Sequence, residues 1–414
     1  MSESTTAVAP LHAEQAVLAA AVQRGEPEWL LERRAEAARA FAALPLPTPA
    51  LRPWRYTDVT RLDLAAFVPA DTPIAIEGGA DGDAPDGDAY VGTLSGALEG
   101  RRALVAERLG ALVPATEGKF IAANAALWSG GALVHAPAGH AFDEPIIVTV
   151  DAGELADAAV HPRLLIEAGE QSELTVVLRT RSGDAPLLAA GVVEIDVAQA
   201  ARVRLLIDDR WGAATRDFTT IRARLGRDAD LRVASLAIGG AILKQTVEVV
   251  LEGEGANSSI RAVALGDGDQ HFDFVTLQDH VGPRSISDVE VKAALAGASR
   301  SIYYGITRVG EDAAGAEANQ QNRNLLLSNS SKADSDPVLE ILTADVIRCG
   351  HAATVGPVDQ DALFYLQSRG LDRRTALQLL VSGFFQSVAR DLAVEGMADD
   401  LERTVFAKLA RAVL

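Results

Sequence analysis

The sequence predicts a mainly β fold: a β-solenoid held between α-helical ends. Three observations carry that expectation. Short apolar–polar alternations fill the middle of the chain, they recur at near-constant spacing, and the apolar residues are small aliphatics with few rings. Of 414 residues, 48% are hydrophobic but only 5% aromatic, so the core has to be built from Ala, Val, Leu and Ile. Such side chains suit stacked, repetitive packing better than a ring-lined pocket.

The first zone, residues 1–125, reads as helical with a linker. Ala13 to Gln23 and Glu26 to Ala43 are rich in Ala, Leu, Glu and Arg, all good helix formers. LPLPTPALRPWRY (44–56) then breaks the helix with four prolines. In EGGADGDAPDGDAY (77–90) the Asp spacing resembles a calcium loop, but Pro85 falls where a ligand belongs and no Glu closes the loop. It reads as a solvated linker. ALVAERLGAL (103–112) and GKFIAANAALW (118–128) are two further expected helices.

The second zone, residues 126–356, is the expected solenoid. PIIVTV, RLLIEA, ELTVVL, VVEIDV and RVRLLI alternate with period two, the strand signal. Strands end at Val197, Leu225, Leu251 and Leu277, spaced 28, 26 and 26 residues apart, each followed by a polar turn and another strand. A repeat of that length fits one coil of a solenoid or one hairpin pair of a β-sandwich. Composition favours the solenoid. Periodicity alone does not fix how strands pair, so the sandwich stays open.

The third zone, residues 357–414, returns to helix. Gly370 stands at an expected C′ position and Asp372 at an expected N-cap. Leu401, Val405 and Leu409 form one stripe of a last helix, and Phe384 with Phe385 gives the preceding helix a bulky apolar face. Intramolecular packing is the ordinary reading of such stripes; docking to a partner is the other.

A net charge of −19 disfavours nucleic acid and anionic membranes as partners. A single cysteine precludes an internal disulfide and fits a reducing compartment. No basic leader opens the chain, and no apolar run approaches the ~18 residues of a membrane helix, so a cytoplasmic location is expected.

That cysteine lies in VIRCGH (346–351), read as the last strand before a turn at ATVGP. Strand geometry puts Cys349 and His351 on one face with Ile347 beside them, and Arg348 and Gly350 opposite. Together they amount to half a site for iron or zinc, because a structural zinc or an iron–sulfur cluster takes about four protein ligands. A small buried cysteine beside an incidental histidine is the plainer reading. A Cys–His nucleophile is disfavoured, since the two lie side by side and no third residue orients them. The chain has no phosphate loop, dinucleotide fingerprint, H-E-x-x-H or C-x-x-C. No nucleotide site of its own and no catalytic residues are expected.

GAEANQQNRNLLLS (315–328), SDPVLEI (335–341), VIRCGHAATVGPVDQDALFYLQSRG (346–370) and ALQLLVSGFF (376–385) resemble the SufB/SufD family of iron–sulfur assembly scaffolds. SIYYGITRV (301–309) and WRYTDVTRLDL (54–64) are similar to family segments as well. The Cys-Gly-His-Ala-Ala-Thr run (349–354) is SufD-like rather than SufB-like, with Ala352 where Gly is usual. The resemblance implies a right-handed parallel β-helix between helical regions. It also implies a non-catalytic scaffold subunit that pairs with a SufB-like chain, docks SufC-like ATPases, and serves nascent cluster formation and iron acquisition. Cys349 and His351 match the positions at the interface between the two scaffold chains, where a transient cluster would be shared. Phe364, Tyr365, Arg369, Phe384 and Phe385 fall in the region that would dock the ATPase. An isolated chain is expected to pair through its exposed edge with a second copy. Two alternatives are a carbohydrate-active β-solenoid enzyme, against which the few aromatics and scattered acids speak, and a stand-alone metal or thiol enzyme, against which the missing ligands speak.

Overall fold

A computed structural model describes residues 13–79, 89–391, 403–404 and 406–410. Its centre is a stack of about eight coils, each contributing one strand to either of two sheets. The coils pair β1 (Gly131–Ala136) with β2 (Ile146–Asp151), β3 (Arg163–Ala168) with β4 (Glu173–Arg181), β5 (Val192–Val197) with β6 (Arg202–Arg210), and β7 (Thr215–Leu225) with β8 (Asp230–Ala237). They continue with β9 (Ile242–Leu251) and β10 (Asn257–Gly266), β11 (His271–His280) and β12 (Ile286–Leu295), β13 (Arg300–Val309) and β14 (Ala316–Leu326), and β15 (Lys332–Ile341) and β16 (Val346–Pro357). Odd strands form sheet one and even strands sheet two, every coil pairing in parallel with the next. That pairing excludes the sandwich, which needs antiparallel neighbours.

The register stacks equivalent residues into ladders. In sheet two, Ile146, Val176, Leu205, Val233, Ile260 and Val289 lie one above another and face the interior, all buried. In sheet one the matching ladder is Val134, Ile166, Ile195, Ala223 and Val249. Each fully buried Val, Leu or Ile contributes about 1.5–3 kcal/mol, and no single coil can bury its face alone. The spacing read from sequence holds through Leu251, but the next strand runs on to His280 rather than stopping at Leu277.

Helices α1 (Glu14–Gln23) and α2 (Glu28–Ala43) lie where composition placed them. Of the shorter helices, α3 (Leu94–Gly100), capped by Thr93, is an addition to the expected set, whereas α4 (Arg102–Arg108) and α5 (Lys119–Leu127) overlap the two expected stretches. They are fastened to the first coils by buried charge. Arg163 Nη2 donates to Glu194 at 2.5 Å and its Nη1 to Asn124 Oδ1 of α5 at 3.0 Å. Glu194 also accepts the amides of Gly110, Leu112 and Val113. Short antiparallel strands, Tyr90–Thr93 on β1 and Ile74–Glu77 on β2, close the first coil. Most of the 77–90 linker lies outside the described residues.

After β16 the chain enters α6 (Gln360–Ser368), whose N-cap Asp359 accepts the amides of Asp361 and Ala362. The expected turn at ATVGP does not form: β16 continues through Pro357 because Ala353, Thr354 and Val355 keep pairing with β14. Gly370 has φ +92° and ends α6; Asp372 accepts the Thr375 amide at 2.9 Å and opens α7 (Arg373–Asp391). Val381, Phe385 and Val388 of α7, with Leu409, pack on the outer face of sheet two against Val263, Leu265 and Ala294. Leu401 and Val405 lie outside the described residues. No helix among the described residues is long and apolar enough to cross a membrane.

Candidate functional site

The two ends of the stack differ. The first coil is capped by antiparallel strands and helices, whereas β15 and β16 end their sheets with an unpaired edge each. Solenoids ordinarily protect that position, because free N–H and C=O groups template further strand pairing. Here the rim is apolar instead. Ile341 is 42% exposed, Leu342 60%, Ile347 67% and Val355 47%.

The interior changes at the same end. The sheet-one ladder that begins with Val134 passes through Gln278 and Thr307, both buried. The sheet-two ladder that begins with Ile146 ends Val289, Gln320, His351. Tyr303 Oη donates to Gln320 Oε1 at 2.9 Å and lies 3.2 Å from Thr276 Oγ1. Gln320 Nε2 donates to the Val338 carbonyl at 3.0 Å, tying β14 to β15 across the coil. Asn324 Nδ2 donates to Asn322 Oδ1, and Asn322 Nδ2 to the Val291 carbonyl. Gly305 makes room for this network, for a Cβ there would collide with Tyr303 Oη and Gln320 Oε1.

Cys349 pairs in register with Ala318 and His351 with Gln320, whose side chains are buried in the interior. Both therefore share the inward phase of the final coil; strand alternation predicts the shared face, though not its direction. Ile347 does not stand beside them. The register slips between Ala316 and Glu317, so that Val346 pairs with Ala316 and Arg348 with Glu317, leaving Ile347 as the extra residue of a bulge. Without that bulge, Arg348 would take the inward phase and Cys349 the outward one.

Cys349 is half-buried against Val309, Ala313 and Ala316. Burial pushes its thiol up, offset in part by the Ala318 amide. The thiol is accordingly protonated near neutrality, and binding a metal must release that proton. His351 is exposed. Among the described residues no group of three or more His, Cys, Asp or Glu side chains is gathered to hold a metal ion. The pair is a half-set, open on the side where the stack ends.

The helical docking candidates separate into two groups. On α6, Phe364 is 72% and Tyr365 55% exposed, with the Arg369 guanidinium 5.0 Å from the Tyr365 ring. On α7, Phe385 is buried against sheet two and Phe384 is half-buried, with Lys292 Nζ donating to the Phe384 carbonyl at 2.8 Å. The α7 pair thus packs on its own chain.

Residues 149–384, a span that includes both donors and most of α7, match the family described as SUF system FeS cluster assembly, SufBD core domain. The chain belongs to the SufBD family. Among its relatives is an iron–sulfur cluster assembly SufBD family protein of Mycobacterium tuberculosis, 33% identical over 270 residues, covering 63% of this chain and 67% of the relative. A SufBD family protein of Staphylococcus epidermidis is 29% identical over 309 residues, covering 72% and 64%. The iron–sulfur cluster assembly protein SufB of Bacillus subtilis is 28% identical over the same length and coverage. SufBD membership assigns the chain to iron–sulfur cluster assembly and disfavours the carbohydrate-enzyme alternative. The WRYTD segment resembling the family has a structural place as well. Thr57 Oγ1 lies 2.8 Å from His271 Nε2 and donates to Asp273, which also pairs with Lys244 at 2.7 Å, pinning the N-terminal segment to the outer face of sheet one. Nothing in the histidine spacing pointed to that contact, because its partners are more than 200 residues apart.

Proposed function

We propose that this SufBD protein is a SufD-like, non-catalytic subunit whose Cys349 and His351 contribute to a nascent iron–sulfur cluster completed by ligands from a SufB-like chain. The observation that carries the reading is the placement of both donors in the inward phase of an uncapped final coil. Two soft or borderline ligands suit iron, and since no third donor is gathered with them among the described residues, a partner chain would supply the rest of the shell. A second protein adding strands at β15 and β16 would bury the apolar rim and bring its own side chains over the pair.

The exposed aromatics of α6 support docking of a SufC-like ATPase. Only Val358 and Asp359 separate β16 from α6, so force applied to α6 acts directly on the strand bearing the donors. Closure of an ATPase pair that binds ATP more tightly when closed would then pull at β16 and open the joint between the scaffold chains. Cys349 would become accessible as a thiolate and His351 as a neutral nitrogen ligand.

The test is reconstitution with SufB-like and SufC-like partners, followed by iron and sulfide analysis. His351→Ala and Cys349→Ala should each lower iron retention while the complex still assembles. Unchanged iron and sulfide in both variants would remove the ligand role. Loss of the complex itself would instead place the residues in the protein interface.

A further inference from the structure

Far from the final coil, a cavity of about 520 Å³ opens between the N-terminal zone and the outer face of sheet one. Its floor is built from β7 and β9, where Phe218, Thr220 and Arg222 pair in register with Lys244, Thr246 and Glu248. One wall is the proline-rich segment that follows α2, including Pro45, Pro47 and Pro53. Prolines fix φ, so that wall is rigid before anything binds. The other wall is the first turn of α5. Trp54, Phe120 and Phe218 form one aromatic cluster, with ring centroids 4.0 Å apart for the phenylalanine pair and 5.7 and 5.9 Å from Trp54. In a chain so poor in rings, three are gathered here.

Three cations line the cavity, and two of them are already neutralised. Arg222 donates to Glu248 Oε2 at 2.6 Å and to Glu117 Oε2 at 2.6 Å. Lys244 pairs with Asp273. Lys119 is different: its ammonium donates to the Phe41 carbonyl and rests 4.0 Å from the Phe41 ring centroid, and no carboxylate among the described residues pairs with it. Thr220 and Thr246 pair in register on the floor, between the Phe218–Lys244 pair and the Arg222–Glu248 pair.

We infer that this cavity is a binding site for a small planar aromatic anion, its ring against the Trp54–Phe218 cluster and its carboxylate-type group at Lys119. The volume falls in the range of about 300–1,000 Å³ typical of small-molecule sites, and mostly apolar walls with a few convergent polar groups are their usual chemistry. Partial burial lowers the Lys119 pKa, and an incoming anion reverses that cost by supplying the missing counter-charge. The site involves neither Cys349 nor the strand edges, so it stands apart from the cluster-assembly reading.

The full-length protein should be titrated with 2-naphthoate and, separately, with uncharged 2-naphthalenemethanol, following heat release and quenching of tryptophan fluorescence. Both probes should bind at a single class of site and quench Trp54, an effect lost in Trp54→Phe. Lys119→Met should weaken 2-naphthoate about tenfold while leaving the alcohol within about twofold, since only the charge pair is removed. Thr246→Phe, which fills the floor, should block both probes, with melting temperatures reporting whether each variant folds. The inference is overturned if neither probe binds, if Lys119→Met weakens both equally, or if binding survives Thr246→Phe in a folded protein.

Discussion

Replacing Phe385 by Ala should destabilise the isolated chain, whereas replacing Phe364 should not, although both are aromatic residues of the C-terminal helices. Phe385 is 2% exposed and Phe364 72%. A buried ring of that kind removes roughly 150–200 Å² from water, which at about 25 cal/mol per Å² is about 4–5 kcal/mol, and measured Phe→Ala costs of about 3–5 kcal/mol agree. In a large domain with a urea slope of about 3 kcal/mol per M, a loss of about 4 kcal/mol lowers the unfolding midpoint by roughly 1.3 M. Phe364 keeps most of its ring in water, so its truncation should shift the midpoint by no more than about 0.2 M. Binding to a SufC-like ATPase should show the converse ranking. Phe364→Ala should cost an aromatic anchor of about 2 kcal/mol, near thirtyfold in Kd. Urea melts by circular dichroism and titration of the ATPase read the two effects separately. If Phe385→Ala leaves the midpoint unchanged, or Phe364→Ala costs as much stability, the assignment of α7 to the core and α6 to the surface is wrong.

Gly305→Ala should force Tyr303 off Gln320 and cost about 1–3 kcal/mol as overpacking, visible as a lower melting temperature with secondary structure retained. Asp217, buried inside the coil beside Asp209, is pushed up to about 7 by burial, and Asp209 is also raised, by burial and by the Asp217 charge. For a carboxyl whose folded pKa is raised, the native state holds more protons than the unfolded chain. Stability is thus full below about pH 4 and falls by up to roughly 1.4 kcal/mol per pH unit as pH rises towards 7. Asp217→Asn should flatten that decline in urea melts between pH 5 and 8; an unaltered slope would contradict the burial assignment. Cys349 should react with iodoacetamide more slowly than a free thiol at pH 7 and accelerate as pH rises past the ordinary thiol midpoint. A rate equal to that of a small-molecule thiol would show the sulfur to be fully exposed.

Much of this architecture was legible because it is local. Period-two alternation locates strands whichever way they pair, and the 28- and 26-residue spacing reports the circumference of a coil. Gly370 and Asp372 announced their helix ends because capping needs only the residues at hand. What stayed hidden depends on contacts between distant segments. The bulge at Ile347 exists only relative to β14, and the prolongation of β16 through Pro357 only because that strand offers a partner. The pair's shared face was readable from i, i+2 spacing, but its inward direction was not, since the bulge sets that phase. The apolar face of Phe384 and Phe385 reads from sequence as packing or docking alike, and only the fold shows sheet two beneath Phe385. The polar lining around Gln278 and Gln320 was invisible because a glutamine in an alternating strand carries no mark of which side faces in.

The difference between the two ends of the stack has a consequence for biosynthesis. A ribosome delivers the capped coil first and the sticky one last, so each new turn grows on a template already closed behind it. Residues 332–357 emerge only when seven earlier turns stand ready to receive them, and the interval in which a bare apolar rim meets other nascent chains is short. Moving that rim to the front of the chain by circular permutation would leave it unprotected throughout translation, and inclusion bodies should replace folded protein.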